Sequence, residues 1–86
     1  NEDNINTFQD SIPSIRVLEK VIYLGIHTPL DEIPETLALG TGWCAVSTDA
    51  NYIRFFSTEG NQTFILSTSL SVISMVGYEN LLAVIV

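Results

Sequence analysis

Basic residues are scarce: three Lys and Arg stand against ten Asp and Glu, for a net charge of −7. Polyanions are gripped largely through Lys and Arg, so the chain is a poor candidate for holding DNA or RNA directly. The acidity reads instead as a solubilising surface. There is one cysteine, Cys44; no internal disulfide can form, which fits a reducing compartment. There is one histidine, His27, and a single histidine supplies neither a catalytic triad nor a ligand set. Long apolar runs are missing too. The longest, Leu81 to Val86, has six residues, far short of the ~20 a membrane helix requires. No basic stretch followed by an apolar one marks a secretion signal at the N-terminus. These absences point away from a nucleic-acid or membrane partner.

What is present is apolar. Hydrophobic residues make up 47% of the 86 and charged residues only 15%, in a chain near the size where one core is barely sufficient. Such an excess implies burial against the rest of a larger domain or against a partner subunit. The first eleven residues are polar and acidic without a sustained period, and read as a loop or trailing linker. Residues 12–27 are expected to be extended, because Val17, Val21, Ile22, Tyr23 and Ile26 favour strand geometry and Gly25 interrupts a helical pattern. The rival is a helix from Ser14, with Ser14 as cap and Ile15, Leu18 and Ile22 on one face. Residues 1–28 are therefore taken as a loop and uncertain strand region, and residues 29–86 as one sheet-forming segment.

In that segment, Thr28-Pro29 and Pro34 punctuate a loop. Short apolar runs then follow one another, each bounded by turn residues: Thr36 to Leu39, Trp43 to Ser47, Tyr52 to Phe56, Gln62 to Ser67, Val72 to Val76 and Leu81 to Val86. This spacing predicts antiparallel strands in a meander. Two stretches share a rhythm, "LGTGWCAV" and "VGYENLLAV". Gly40 and Gly77 are 37 residues apart, and Val46 and Val84 are 38 apart. A four-stranded unit repeating at roughly 40 residues is the signature of a β-propeller blade. The predicted fold is therefore all-β, a partial propeller of about one and a half four-stranded antiparallel blades. The glycines are expected to serve tight turns between inner strands, and Trp43 to lie as an apolar plate between neighbouring blades. Arg54, alone in "YIRFF", is expected to reach an edge or pair with an acid. The final "LLAVIV" is expected to be an unpaired apolar strand that aggregates unless neighbouring strands cover it, so the segment is not expected to fold by itself.

No constellation for chemistry emerges. Cys44 has no cationic neighbour in sequence to lower its pKa and reads as a small buried apolar residue. Asp31, Glu32 and Glu35 cluster around Pro34, but a proline-rich acidic loop reads as solvated rather than catalytic. Gly40-Thr41-Gly42 resembles a fragment of a phosphate loop, yet no Lys follows and no helix opens after it. Asn61-Gln62-Thr63 matches a glycosylation sequon that has no secretory context. Tyr52 and Tyr78 are expected to pack between blades, with contact to a partner as the alternative. No catalytic, cofactor-binding or metal-binding residue is assigned, and no cofactor is expected.

Leu39-Gly40-Thr41-Gly42-Trp43, Ile53-Arg54-Phe55-Phe56, Gly60-Asn61-Gln62 and the run from Ser71 to Gly77 carry a resemblance. In that order and spacing they are similar to the "LGxGW", apolar-Arg-apolar-Phe, "GxQ" and "VSMxG" elements of the chromosome transmission fidelity factor family. In animals this family is known as the acidic nucleoplasmic DNA-binding protein with WD repeats. The resemblance covers about Pro29 to Val86. It departs at Leu70-Ser71, where the family commonly has Gly-Pro, and at Tyr78, where a histidine is usual; the first 28 residues match nothing in it.

The resemblance implies a nuclear, non-enzymatic replisome scaffold. Such proteins self-associate as homotrimers through a central propeller. A helical domain downstream of the propeller captures peptide motifs from clients, tying the replicative helicase to DNA polymerase α–primase. That domain is not in these 86 residues, so no client-binding residue carries over. Two alternatives remain at this point: a generic WD-type propeller interaction module without a replication role, and part of an enzyme whose catalytic residues lie elsewhere.

Overall fold

The computed structural model describes residues 14–86, and the expected N-terminal loop over the first eleven residues lies outside them. Among these residues one helix, α1 (Ser14–Tyr23), precedes six strands: β1 (Pro34–Gly40), β2 (Trp43–Thr48), β3 (Tyr52–Ser57), β4 (Gln62–Ser67), β5 (Ser74–Tyr78) and β6 (Leu81–Ile85). Strands β1 to β4 form an antiparallel meander in sequence order, and β5–β6 begin a second sheet. This is a partial β-propeller, one complete blade and the first hairpin of the next.

The turns follow from their residues. Thr41-Gly42 joins β1 to β2 with Gly42 at φ +81°, a value that glycine adopts without the clash a Cβ brings. Asp49-Ala50-Asn51 joins β2 to β3, and Asn51 holds φ +62° at the third loop position, the usual geometry of a three-residue hairpin. Its amide donates to the Thr48 carbonyl at 3.1 Å. The β3–β4 loop turns at Gly60, φ +88°.

Alternation along the strands divides the first sheet into two apolar faces. On one, Cys44, Val46 and Phe56 are buried with Leu37 beside them, under Val17, Val21 and Ile26. On the other, Ala38, Ala45 and Ile53 are buried with Val72 and Met75, flanked by Trp43, Phe55 and Leu82. The sheet is thus sandwiched between α1 and the β5–β6 hairpin. Among the described residues the buried polar ones are Ser47 and Thr48; the Ser47 and Thr36 hydroxyls bond to each other, and Thr48 Oγ1 accepts from the Ala50 amide.

The extended reading of residues 12–27 is corrected for those described: 14–23 are helical and 24–27 form a turn and loop. The C-terminus of α1 accounts for Gly25. Gly25, at φ +75°, stands just past the last turn in the left-handed conformation. Its amide donates to the Ile22 carbonyl (3.0 Å), and the Ile26 amide to the Val21 carbonyl (3.1 Å). This is a Schellman ending, with Ile26 and Val21 making its usual apolar contact. A glycine that interrupts a strand pattern is here a helix stop. The face differs from the rival reading as well: Val17 and Val21 are buried, Leu18 is half-buried and Ile22 is exposed, while the side chains of Ser14 and Ile15 lie outside the described ones.

The final apolar run is also not unpaired. β6 bonds to β5 along Ser74–Tyr78, and the Ile73 amide donates to the Ile85 carbonyl at 2.6 Å. Its other edge is open, and Leu81, Ile85 and Val86 are exposed.

Candidate functional site

The most elaborated place in the chain is the seam where the β1–β2 turn meets the β5–β6 turn. Trp43 opens β2 opposite Gly40, and its indole lies flat across that glycine. Any Cβ at position 40 would collide with the Trp43 ring. The far rim of the indole reaches β5, where a Cβ at Gly77 would lie 3.1 Å from Trp43 Cη2 and would collide with the Leu39 carbonyl oxygen. Gly77 is thus a notch that lets two sheets approach backbone to ring. Two donors close the seam on one acceptor: Trp43 Nε1–H donates to the Glu79 carbonyl at 2.6 Å, and the Thr41 amide donates to the same oxygen at 3.0 Å. From Trp43 an aromatic row continues across the sheet to Phe55 (centroids 6.1 Å) and on to Phe64 (5.6 Å). Tilted pairs at these separations are favourable.

The expected plate between blades is therefore present, and the glycines divide the work differently from expectation. Gly40 and Gly77 are not equivalent. β1 ends at Gly40 and β5 at Tyr78; β2 opens at Trp43 and β6 at Leu81. The structural repeat is 38 throughout, so Gly77 matches Leu39, and Tyr78 occupies the place of Gly40. Gly77 lies within β5, not in a turn, and the β5–β6 turn carries its positive φ at Glu79, +51°.

A second polar assembly pins the loop before β1. Arg54 Nε and Nη2 donate to the two Glu32 carboxylate oxygens at 2.9 and 2.7 Å, and Nη1 donates to Gln62 Oε1 at 3.0 Å. The guanidinium also lies 5.3 Å from the Tyr52 ring centroid. Both charged side chains are largely covered, 12% exposed for Arg54 and 9% for Glu32. The hydrogen bond from Arg54 holds the Glu32 carboxyl below its usual range against the opposing effect of burial, and the same bond raises Arg54. Arg54 thus pairs with an acid, as its sequence context implied. Glu32 is an anchor for the loop, and the solvated-cluster reading holds only for its exposed neighbour Asp31.

The other residues singled out from the sequence do not converge. His27 is exposed in the loop after α1. Cys44 is buried and unpaired, and burial pushes its thiol up, the opposite of an activated thiolate. Among the described residues no three His, Cys, Asp or Glu side chains could hold a metal ion, and no helix is long and apolar enough to cross a membrane. Tyr52 is half-buried beside Arg54, but Tyr78 is 67% exposed, against the expectation that it packs between blades. It belongs to a row that the sequence alone did not single out. Val76, Tyr78, Leu81 and Ile85, all exposed, share the face of β5–β6 turned away from the first sheet. Their alternation with Met75, Gly77 and Leu82 is the signal that could have found them. The geometry suits mating with another apolar sheet.

The family model for the middle region of minichromosome loss protein Mcl1 matches residues 24–86, most of the chain and all six strands. No curated protein matches the chain.

Proposed function

The chain belongs to the minichromosome loss protein Mcl1 middle-region family, that of the chromosome transmission fidelity factor, which has a role in chromosome replication; on that footing we propose that it is a non-enzymatic, nuclear scaffold segment of the replisome. Its part is to build a propeller wall through which copies of the protein associate as a homotrimer. A helical domain elsewhere in the protein then links the replicative helicase to DNA polymerase α–primase.

One observation carries the reading: the sheets stack face upon face through a purpose-cut seam, Trp43 over Gly40 and into the Gly77 notch. They leave a further apolar face exposed at Val76, Tyr78 and Leu81. A surface of this kind mates with protein rather than processing a small molecule. The net charge of −7 supports partners that are proteins and not the DNA itself.

The test is purification of the tagged protein from S-phase nuclei with quantification of helicase and polymerase α–primase subunits, alongside its mass by light scattering. Recovery of both client groups with a mass of three copies is the expected result. Recovery of signalling or ubiquitin-ligase components in their place would make it a propeller module without a replication role.

A further inference from the structure

Two hairpins of the chain turn through two residues each, Thr41-Gly42 between β1 and β2 and Glu79-Asn80 between β5 and β6. The 38-residue repeat aligns them, Thr41 with Glu79 and Gly42 with Asn80. In both, the residue that tolerates a positive φ stands second: glycine in one, asparagine in the other. The first hairpin uses it, with Gly42 at φ +81°. The second does not. Among the described residues, positive φ outside glycine is confined to Asn51 and Glu79, so the β5–β6 turn places it on the glutamate and leaves the adjacent asparagine in the ordinary range.

A positive φ at the first central residue alone is the pattern of a type II′ turn, whose first place belongs to glycine. The Glu79-Asn80 pair therefore takes a turn that its own residues disfavour. What holds it lies outside the hairpin. The Glu79 carbonyl belongs to the central peptide of the turn, and it accepts from Trp43 Nε1–H at 2.6 Å and from the Thr41 amide at 3.0 Å. In the turns that put positive φ on the second residue, types II and I′, the central peptide is turned over and its carbonyl faces the opposite side. There the oxygen would be out of reach of both donors. The Glu79 and Asn80 side chains are exposed, so neither is packed in a way that resists the rotation.

We propose that the Glu79–Asn80 peptide is a two-position latch on the seam. In the closed position its carbonyl binds Trp43 and Thr41. In the open position the positive φ passes to Asn80, the carbonyl turns away and both bonds are lost, while Tyr78 remains paired with Leu81 and the hairpin persists. The preference of the two turn residues opposes the two seam bonds, which keeps the positions close enough in energy for a neighbouring contact to shift their populations. The junction between the two sheets is thereby loosened at this end through one peptide, without either hairpin unfolding. The latch is a property of this turn and does not depend on the replication role.

Two glycine variants push it in opposite directions. Glu79→Gly gives the closed turn the residue it asks for, and Asn80→Gly does the same for the open one. Hydrogen exchange of the Trp43 indole N–H and of the Thr41 amide reads the seam. The Ile73 amide, bonded to the Ile85 carbonyl at 2.6 Å, is the reference at the far end of the second hairpin. Both seam protons are expected to exchange about tenfold more slowly in Glu79→Gly and about threefold faster in Asn80→Gly, with Ile73 unchanged in each. A red-shifted Trp43 emission should accompany Asn80→Gly only. A turn with a merely structural role would respond to both glycines alike, since each adds freedom to the unfolded chain. Faster seam exchange in both variants therefore overturns the proposal, and so do wild-type rates at both seam protons in Asn80→Gly. Acceleration of Ile73 to the same degree as the seam would mean that the hairpin detaches as a unit, which overturns it as well.

Discussion

Gly77→Ala is the sharpest probe of the seam. The added methyl would run into the Leu39 carbonyl oxygen and stand 3.1 Å from Trp43 Cη2. Leu39 is held in register with Cys44 on β2, so that oxygen has no free path. Carbon and carbonyl oxygen rest no closer than about 3.3 Å, and β5 therefore has to retreat by roughly 1 Å. Overpacking of this sort costs about 1–3 kcal/mol, which for a unit of this size lowers the thermal midpoint by roughly 10 °C. The retreat also pulls the Glu79 carbonyl from the Trp43 indole, 2.6 Å away. Trp43 is the one tryptophan of the chain, so its emission reads the seam in the folded state. The expected result is a red-shifted native spectrum together with the lower midpoint. Gly25→Ala is the control: it meets no atom within 4 Å and strains only the φ of +75°, costing about 1–2 kcal/mol without moving the emission. A Gly77→Ala protein with native emission and native midpoint would refute the account of the seam.

Trp43→Phe keeps an apolar plate but removes the indole donor, leaving the Glu79 carbonyl with the Thr41 amide alone; a loss of about 1 kcal/mol in urea unfolding is expected. Arg54→Ala strands the Glu32 carboxylate in a largely covered position and should cost about 2 kcal/mol, with faster amide exchange at Glu32 and Ile33 as the local mark. Because the Glu32 pKa is lowered on folding, chiefly by its bond from Arg54, its contribution is complete above the ordinary carboxylate value and is lost as pH falls through the folded one. The acid limb of stability against pH should accordingly flatten in Glu32→Gln, and an unchanged limb would contradict the assignment. Residues 1–86 expressed by themselves should associate as concentration rises, through the open β6 edge and the exposed Leu81 and Ile85; a cooperative, concentration-independent monomeric transition would oppose that expectation.

The strands were legible because each apolar run is fenced by residues with turn chemistry, and Gly42, Asn51 and Gly60 do take the positive φ their positions call for. The helix was not. Val17, Val21 and Ile26 are β-branched, and their local preference points to strand; what decides is tertiary, a face of the first sheet that needs covering and receives these side chains. Gly25 was visible but ambiguous, since a strand breaker and a helix stop are the same letter. At the seam, Trp43 announced itself by size, whereas its acceptor is a main-chain carbonyl 36 residues away, which no side-chain pattern records. The partner of Arg54 was equally hidden, because three nearby acids offered themselves and only the fold places Glu32 against the guanidinium.

The mismatch between the two glycines reaches beyond the seam itself. Leu39 stands where a copy of Gly77 would be needed, and Tyr78 and Leu81 stand where the Gly40 platform and the Trp43 plate would recur. This junction is consequently keyed: the first hairpin carries the tooth, the second the slot, and the two are not interchangeable. Shuffling such hairpins along the polypeptide would set tooth against tooth, so the order of the units is written into their contacts as well as into the chain that joins them.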